Sequence, residues 1–173
     1  MKPSPLPSCA MLVVGLLLSA CDKTATDTSA PTAPVPAAAP ASSDTLNDPG
    51  NNASCDGKNL RVTRDNSTLV INGDCGDVTI TASNGSLNFD TARSITVEGN
   101  HFTVLNTRVD TVLVRGSNNG LNLTDAAHID VSGSNNMVIV NQVESVKFSG
   151  DNNTVNASSE PKVDDSGSGN RVL

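Results

Sequence analysis

The sequence predicts an all-β fold, a parallel β-solenoid with 17-residue rungs set behind a signal peptide and a disordered linker. Three observations carry this expectation. Glycines stand at 99, 116, 133, 150 and 167, each 17 residues after the last. Apolar and polar residues alternate at fixed places inside that period, the period-2 signature of half-buried strands. The chain has no Trp, no Tyr and three Phe, so its core must be built from small aliphatic side chains. A length of 173 residues fits at most one ordinary domain. A net charge of −7 argues against nucleic acid as a partner, since a basic face is the expected footprint.

The chain starts with an address. Lys2 precedes the apolar run 10–20, which ends at Cys21. Eleven such residues are too few to cross a bilayer, which takes ~20, but they suit a secretory signal peptide. Leu18-Ser19-Ala20-Cys21 resembles a bacterial lipobox. The resemblance implies cleavage before Cys21, acylation of its thiol and new amine, and membrane residence through the acyl chains. Asp22 resembles the inner-membrane retention signal of enteric bacteria. Residues 1–20 are then lost and, because Lys2 goes and no acid does, the charge becomes −8.

Residues 21–54 read as a lipid-anchored, disordered tether. They are rich in Ala, Thr, Ser and Asp, with prolines at 31, 34, 36, 40 and 49 and no apolar periodicity. Such chain cannot bury enough surface to offset its ordering entropy. The repeat domain is expected over 55–173. Cys55 and Cys75 are the two cysteines left in an exported mature chain and read as one disulfide. With no His nearby, two thiolates do not complete a zinc shell, so no metal is expected.

The rungs follow, numbered here by positions 1 to 17 counted from Asp77. Position 2 holds Val78, Ile95, Val112, Ile129, Val146 and Val163; position 4 holds Ile80, Val97, Val114, Val131, Phe148 and Asp165. Position 11 holds Leu87, Val104, Leu121, Val138, Val155 and Val172; position 13 holds Phe89, Asn106, Leu123, Val140 and Ala157; position 16 runs Ala92, Val109, Ala126, Val143 and Glu160. Residues 59–76 fit the same frame with one residue inserted. Between the strands, Gly-Ser-Asn-Asn supplies turn residues that tolerate positive φ, and positions 14–17 read as a second, looser turn. One unit cannot bury its apolar face alone; six to seven stacked rungs can. Parallel crossovers favour a right-handed coil.

Two asparagine columns follow from the frame. Asn118, Asn135 and Asn152 share position 8 with Asn84 and His101; Asn119, Asn136, Asn153 and Asn170 share position 9. Stacked amides at one level can bond along the column, so these residues, with Gly99, Gly116, Gly133, Gly150 and Gly167, are expected to form a structural turn ladder. At the far end Pro161 and Asp164-Asp165 interrupt the apolar columns and read as protection of an open sheet edge.

The runs Gly133-Ser-Asn-Asn-Met-Val138 and Gly150-Asp-Asn-Asn-Thr-Val155, and the closing segment 161–170, resemble the bacterial family called domain of unknown function 3060. The resemblance covers about residues 55–173. It implies this fold and an export route, and no reaction, so no catalytic residue is carried over. The residues themselves point the same way. Glycan-cleaving solenoids need converging carboxylates, and here the acids scatter over different columns, with His101 and His128 at positions 8 and 1. Calcium-binding turns need a Gly-Gly-x-Gly-x-Asp pattern that is absent. The expectation is a lipid-anchored protein of the bacterial cell envelope facing the periplasm. Its solenoid is expected to be non-catalytic and structural or interaction-bearing, with no cofactor and with an envelope protein or glycan as possible partner. A cell-wall or envelope-glycan binding module is the alternative, and a cryptic polysaccharide-acting enzyme the third. The sequence is silent on oligomeric state.

Overall fold

The computed structural model describes residues 44–173. The signal peptide, Cys21, Asp22 and the tether up to residue 43 lie outside the described residues. Ten strands follow one another: β1 (Thr45–Asn47), β2 (Asn59–Val62), β3 (Thr68–Ile80), β4 (Ser86–Val97), β5 (Thr103–Val114), β6 (Gly120–Val131), β7 (Met137–Phe148), β8 (Thr154–Ala157), β9 (Lys162–Asp165) and β10 (Arg171–Val172). Every pairing is parallel. From β4 onward each residue pairs with the one 17 places later, as in Leu87↔Val104, Val104↔Leu121 and Leu121↔Val138. The result is a β-solenoid of eight turns, the first short and the last incomplete.

The 59–76 rung does carry one extra residue, and the pairing shows where it lies. Register shifts from 18 to 17 between Ile71 and Asp74, and Gly73 sits at the bulge with φ 92°. Positive φ at a bulge is where glycine is the default residue.

The apolar columns all point inward. Positions 2, 4, 11, 13 and 16 are buried through the middle rungs, from Val78, Ile80, Leu87, Phe89 and Ala92 down to Val138, Val140 and Val143. Each such Val, Ile or Leu contributes ~1.5–3 kcal/mol of burial, and most stack on an apolar residue one rung, ~4.8 Å, above and below, Asn106 being the polar break in position 13. Phe89 and Phe148 fill wider parts of this interior, and Phe102, at position 9, is a third fully buried ring.

Two expectations are corrected. Positions 14–17 are not a separate turn. Each long strand runs from position 10 of one rung through to position 4 of the next, as β5 does from Thr103 to Val114. The pairing skips only positions 14 and 17, where two outward residues fall in succession and the strand bends. A small or branched residue at position 16 fills the angle between the bends, so the chain stays extended. The tether boundary also moves. Its last residues, 44–54, belong to the solenoid: β1 pairs with β2, Leu46 packs on the core, and Ser54 bridges Asn72. Composition hid this turn because its one apolar strand residue is Leu46, and its order comes from covering the exposed edge of the next rung.

Cys55 and Cys75 are disulfide-bonded, with Cα atoms 5.0 Å apart. Both are buried, and the bond ties the short first turn to the end of the next. At the other end the carboxylate of Asp165, in place of an apolar side chain, accepts from Gly167 N–H and Asn170 Nδ2, both at 2.9 Å. It covers the last corner.

Candidate functional site

Positions 5 to 9 form the true turn of each rung, and the sequence motif lies there. Its four residue types do four different things. At position 6 glycine is required by a close approach. A Cβ on Gly116 would lie 1.7 Å from the Gly99 carbonyl oxygen, one on Gly133 1.8 Å from Gly116 O, and one on Gly150 1.9 Å from Gly133 O. None of these glycines has positive φ. The left-handed residue is instead the one at position 8: Asn66, Asn84, His101, Asn118, Asn135 and Asn152 have φ between 53° and 60°. Asparagine tolerates that region better than other non-glycine residues. The amide stacking expected at position 8 is thus corrected. Asn118, Asn135 and Asn152 contribute a backbone conformation, and their side chains are exposed.

Position 7 forms a ladder that the sequence reading missed. The side-chain oxygen of each residue accepts the backbone N–H of its equivalent in the next rung. Asp65 accepts from Ser83, Ser83 from Asn100, Asn100 from Ser117, Ser117 from Ser134, Ser134 from Asp151 and Asp151 from Ser168, at 2.7–3.4 Å. Only a short side chain with an acceptor one or two bonds past Cβ reaches this point, and the column contains Asp, Ser and Asn alone. That restriction was the available signal.

Position 9 is the buried ladder. Asn119, Asn136 and Asn153 are no more than 2% exposed. Each Oδ1 accepts the backbone N–H of the preceding rung: Phe102 to Asn119 at 2.8 Å, then Asn119 to Asn136, Asn136 to Asn153 and Asn153 to Asn170 at 2.9 Å. Each Nδ2 donates to the position-6 glycine carbonyl of the preceding rung, reaching Gly99, Gly116, Gly133 and Gly150 at 2.8–2.9 Å. Nδ2 of Asn136 and of Asn153 also reaches the next amide oxygen at 3.1 Å. A buried backbone group without such a partner costs ~1–3 kcal/mol. These side chains thus satisfy the donors and acceptors that the turn takes out of the strand ladder.

The ladder ends at Phe102, and this explains the odd segment 99–102. The Phe102 ring fills the corner where an amide would lie. Together with the Ser67 carbonyl it leaves no room for a side chain at Gly85, where a Cβ would meet Ser67 O at 2.5 Å and Phe102 Cε2 at 2.6 Å. His101 keeps the left-handed backbone at φ 53°.

The charged side chains lie elsewhere. Arg93 forks onto Asp77 at 3.0 and 2.5 Å and, with help from Ser94, holds that carboxyl below its ordinary pKa. Arg115 pairs with Glu98 at 3.0 Å. Arg108, Asp110, Asp125, Gln142 and Glu144 surround a shallow recess of about 470 Å³ over Ala126, with Arg108 and Asp125 3.9 Å apart. His128 Nδ1 lies 2.8 Å from Ser145 Oγ on an exposed strand and His101 is at the corner, so the two histidines do not meet. Among the described residues no three His, Cys, Asp or Glu side chains are grouped so as to hold a metal ion.

The family described as Protein of unknown function (DUF3060) matches residues 62–113 and 114–169, in two adjacent copies of about three rungs each. The chain belongs to this family. The matched residues thus coincide with the stacked rungs, and the Gly-x-Asn-Asn runs repeated in this chain with the turn just described. No curated protein and no solved structure matches the chain.

Proposed function

We propose that this DUF3060 protein is a lipid-anchored component of the bacterial cell envelope, facing the periplasm, whose solenoid is a non-catalytic structural and interaction module. Residues 1–20 export it, Cys21 carries the acyl chains, and the following tether holds the solenoid off the membrane. One observation carries the non-catalytic reading. The residues repeated from rung to rung are engaged by the backbone: the position-9 amides are buried and bonded, and the position-6 glycines leave no space for a side chain. The uniform 17-residue register from β4 to β7 supports it, because a cleft would need inserted loops to wall it. The test is labelling with palmitate and membrane fractionation of the full chain. Wild type takes up label and sediments with membranes, while Cys21→Ala does neither. A Cys21→Ala chain that still sediments, with no label on wild type, contradicts the anchor.

A second reading has its own observation. The exposed side chains of Asn118, Asn135 and Asn152 stand in file along one corner, with Asn84 beyond His101, a row of amides offered to an envelope glycan. Replacing three of them by Gly keeps the backbone conformation and removes the amides. Glycan binding by wild type that is lost in this variant favours the glycan module.

A further inference from the structure

The outer face formed by positions 10, 12 and 14 differs from the rest of the surface in two ways. It is almost without charge: through seven rungs, from Thr68 to Leu173, those columns hold one acid, Asp90, and one base, Arg171 in the last, incomplete rung. It also gathers the exposed apolar side chains. Val70, Leu105, Met137, Ile139 and Leu173 are 38–64% exposed and all lie on it; Val163 is the one large exposed hydrophobic residue placed elsewhere among the described residues. Position 12 runs Val70, Asn88, Leu105, Asn122, Ile139, Asn156, Leu173, so aliphatic and amide side chains alternate rung by rung. Beside that column Gly120 has open space where a Cβ would be, leaving an apolar recess of about 190 Å³ next to Met137 and Ile139.

We infer that this face is a self-association surface and that its occupant is the same face of a second copy of the chain. The column is a palindrome in character, centred on Asn122. A two-fold axis lying in the plane of the face and crossing the column at Asn122 sets Leu105 on Ile139, Asn88 on Asn156 and Asn122 on Asn122. Aliphatic side chains then cover each other, and facing amides can exchange hydrogen bonds. This is the self-complementarity an isologous dimer needs. Charge selects the same face. Two copies of a net-acidic chain repel wherever their charged sides meet, and on this broad face a single acid, Asp90, stands against the approach. Five positions by seven rungs give ~500 Å² a side and ~1,000 Å² in total, at the low end for a specific interface, so the association is weak and reversible. The inference names the partner that the interaction reading leaves open, and it does not depend on the lipid anchor.

The test uses the full chain in detergent with Asn122→Cys under mild oxidation, read on a non-reducing gel. The unsubstituted chain is one control and Thr96→Cys, on a different face, the other. The result expected is a disulfide-linked species of twice the chain mass from Asn122→Cys, at least fivefold above both controls. It is lost when Leu105→Glu and Ile139→Glu are added, with the thermal transition preserved because both positions are exposed. Cross-linking no greater than at Thr96→Cys overturns the proposal. So does an Asn122→Cys adduct of another mass, or a dimer that survives both glutamates.

Discussion

Neighbouring asparagines in one motif should respond very unequally to the same substitution. Asn135 and Asn136 adjoin in sequence, but one is exposed with φ 58° and the other is 2% exposed and bonded on every side. Asn136→Gly removes the acceptor of Asn119 N–H and the donor to Gly116 O, both at 2.9 Å. Two buried backbone groups are orphaned at ~1–3 kcal/mol each, so the loss is about 2–6 kcal/mol, a large share of the ~5–15 kcal/mol that a domain has. Water entering the space left by the side chain favours the lower figure. Asn135→Gly keeps the left-handed backbone and touches no bond made by the side chain, so it costs less than ~1 kcal/mol, mostly unfolded-chain entropy. Urea denaturation of the two variants checks this. With m near ~2 kcal/mol/M the midpoint falls by about 1–3 M for Asn136→Gly and by less than about 0.5 M for Asn135→Gly. A third variant fixes the sign: Asn135→Val forces a branched side chain into positive φ and costs ~1–2 kcal/mol. Equal losses for Asn135→Gly and Asn136→Gly refute the division of labour between the columns.

The other predictions concern the rest of the stack. Gly133→Ala puts a Cβ 1.8 Å from Gly116 O and should destabilise by about 3 kcal/mol or more in thermal denaturation, whereas Gly120→Ala meets nothing within 4 Å and should be neutral or slightly stabilising. Asn106 is buried in a column of Phe, Leu and Val with its Oδ1 unpartnered, so Asn106→Leu should raise stability by about 1 kcal/mol despite losing the bond from Nδ2 to Asp90 O. Cys75→Ser opens a 20-residue loop and should cost about 3 kcal/mol, with the first turn exchanging its amides fastest. Low pH should loosen that same end first. Thr63 hydrogen-bonds to Asp48, Ser54 to Asp56 and Arg93 to Asp77, lowering each carboxyl's pKa in the folded chain. Their contribution is therefore complete above the unfolded value of ~3.9 and is lost as pH falls through the lower folded values. Amide exchange between pH 5 and 2.5 should show protection lost over 44–80 before 111–148.

The period, the inward columns and the disulfide were legible because each leaves a mark on residue type at fixed spacing. Val, Ile and Leu at positions 2, 4 and 11 have no other place to go once rungs stack. The division of labour inside Gly-Ser-Asn-Asn was not legible. Glycine and asparagine both accept positive φ, and only the geometry shows that Gly116 answers to a carbonyl 1.7 Å from its missing Cβ while Asn118 takes the left-handed turn. Position 7 escaped notice because Ser, Asn and Asp read as generic turn residues, although together they share one acceptor at one reach. The first turn escaped because it is held by bonds such as Thr63 N–H to Asp48 Oδ1 at 2.7 Å and Val70 N–H to Asn51 Oδ1 at 2.6 Å, which leave no hydrophobic pattern. The apolar–amide alternation at position 12 lies on an outward column, which a search for the core passes over.

The central claim is that the repeated Gly-x-Asn-Asn turn holds the rungs together through side chain to backbone bonds. Native-state amide exchange of Asn119, Asn136 and Asn153 tests it most directly, since each of these N–H groups donates to an asparagine side chain of the next rung and to no strand. The account predicts that all three exchange only on global unfolding, as slowly as Val112 and Ile129 in the strands. Exchange at the rate of an open turn, with the strands still protected, would contradict it.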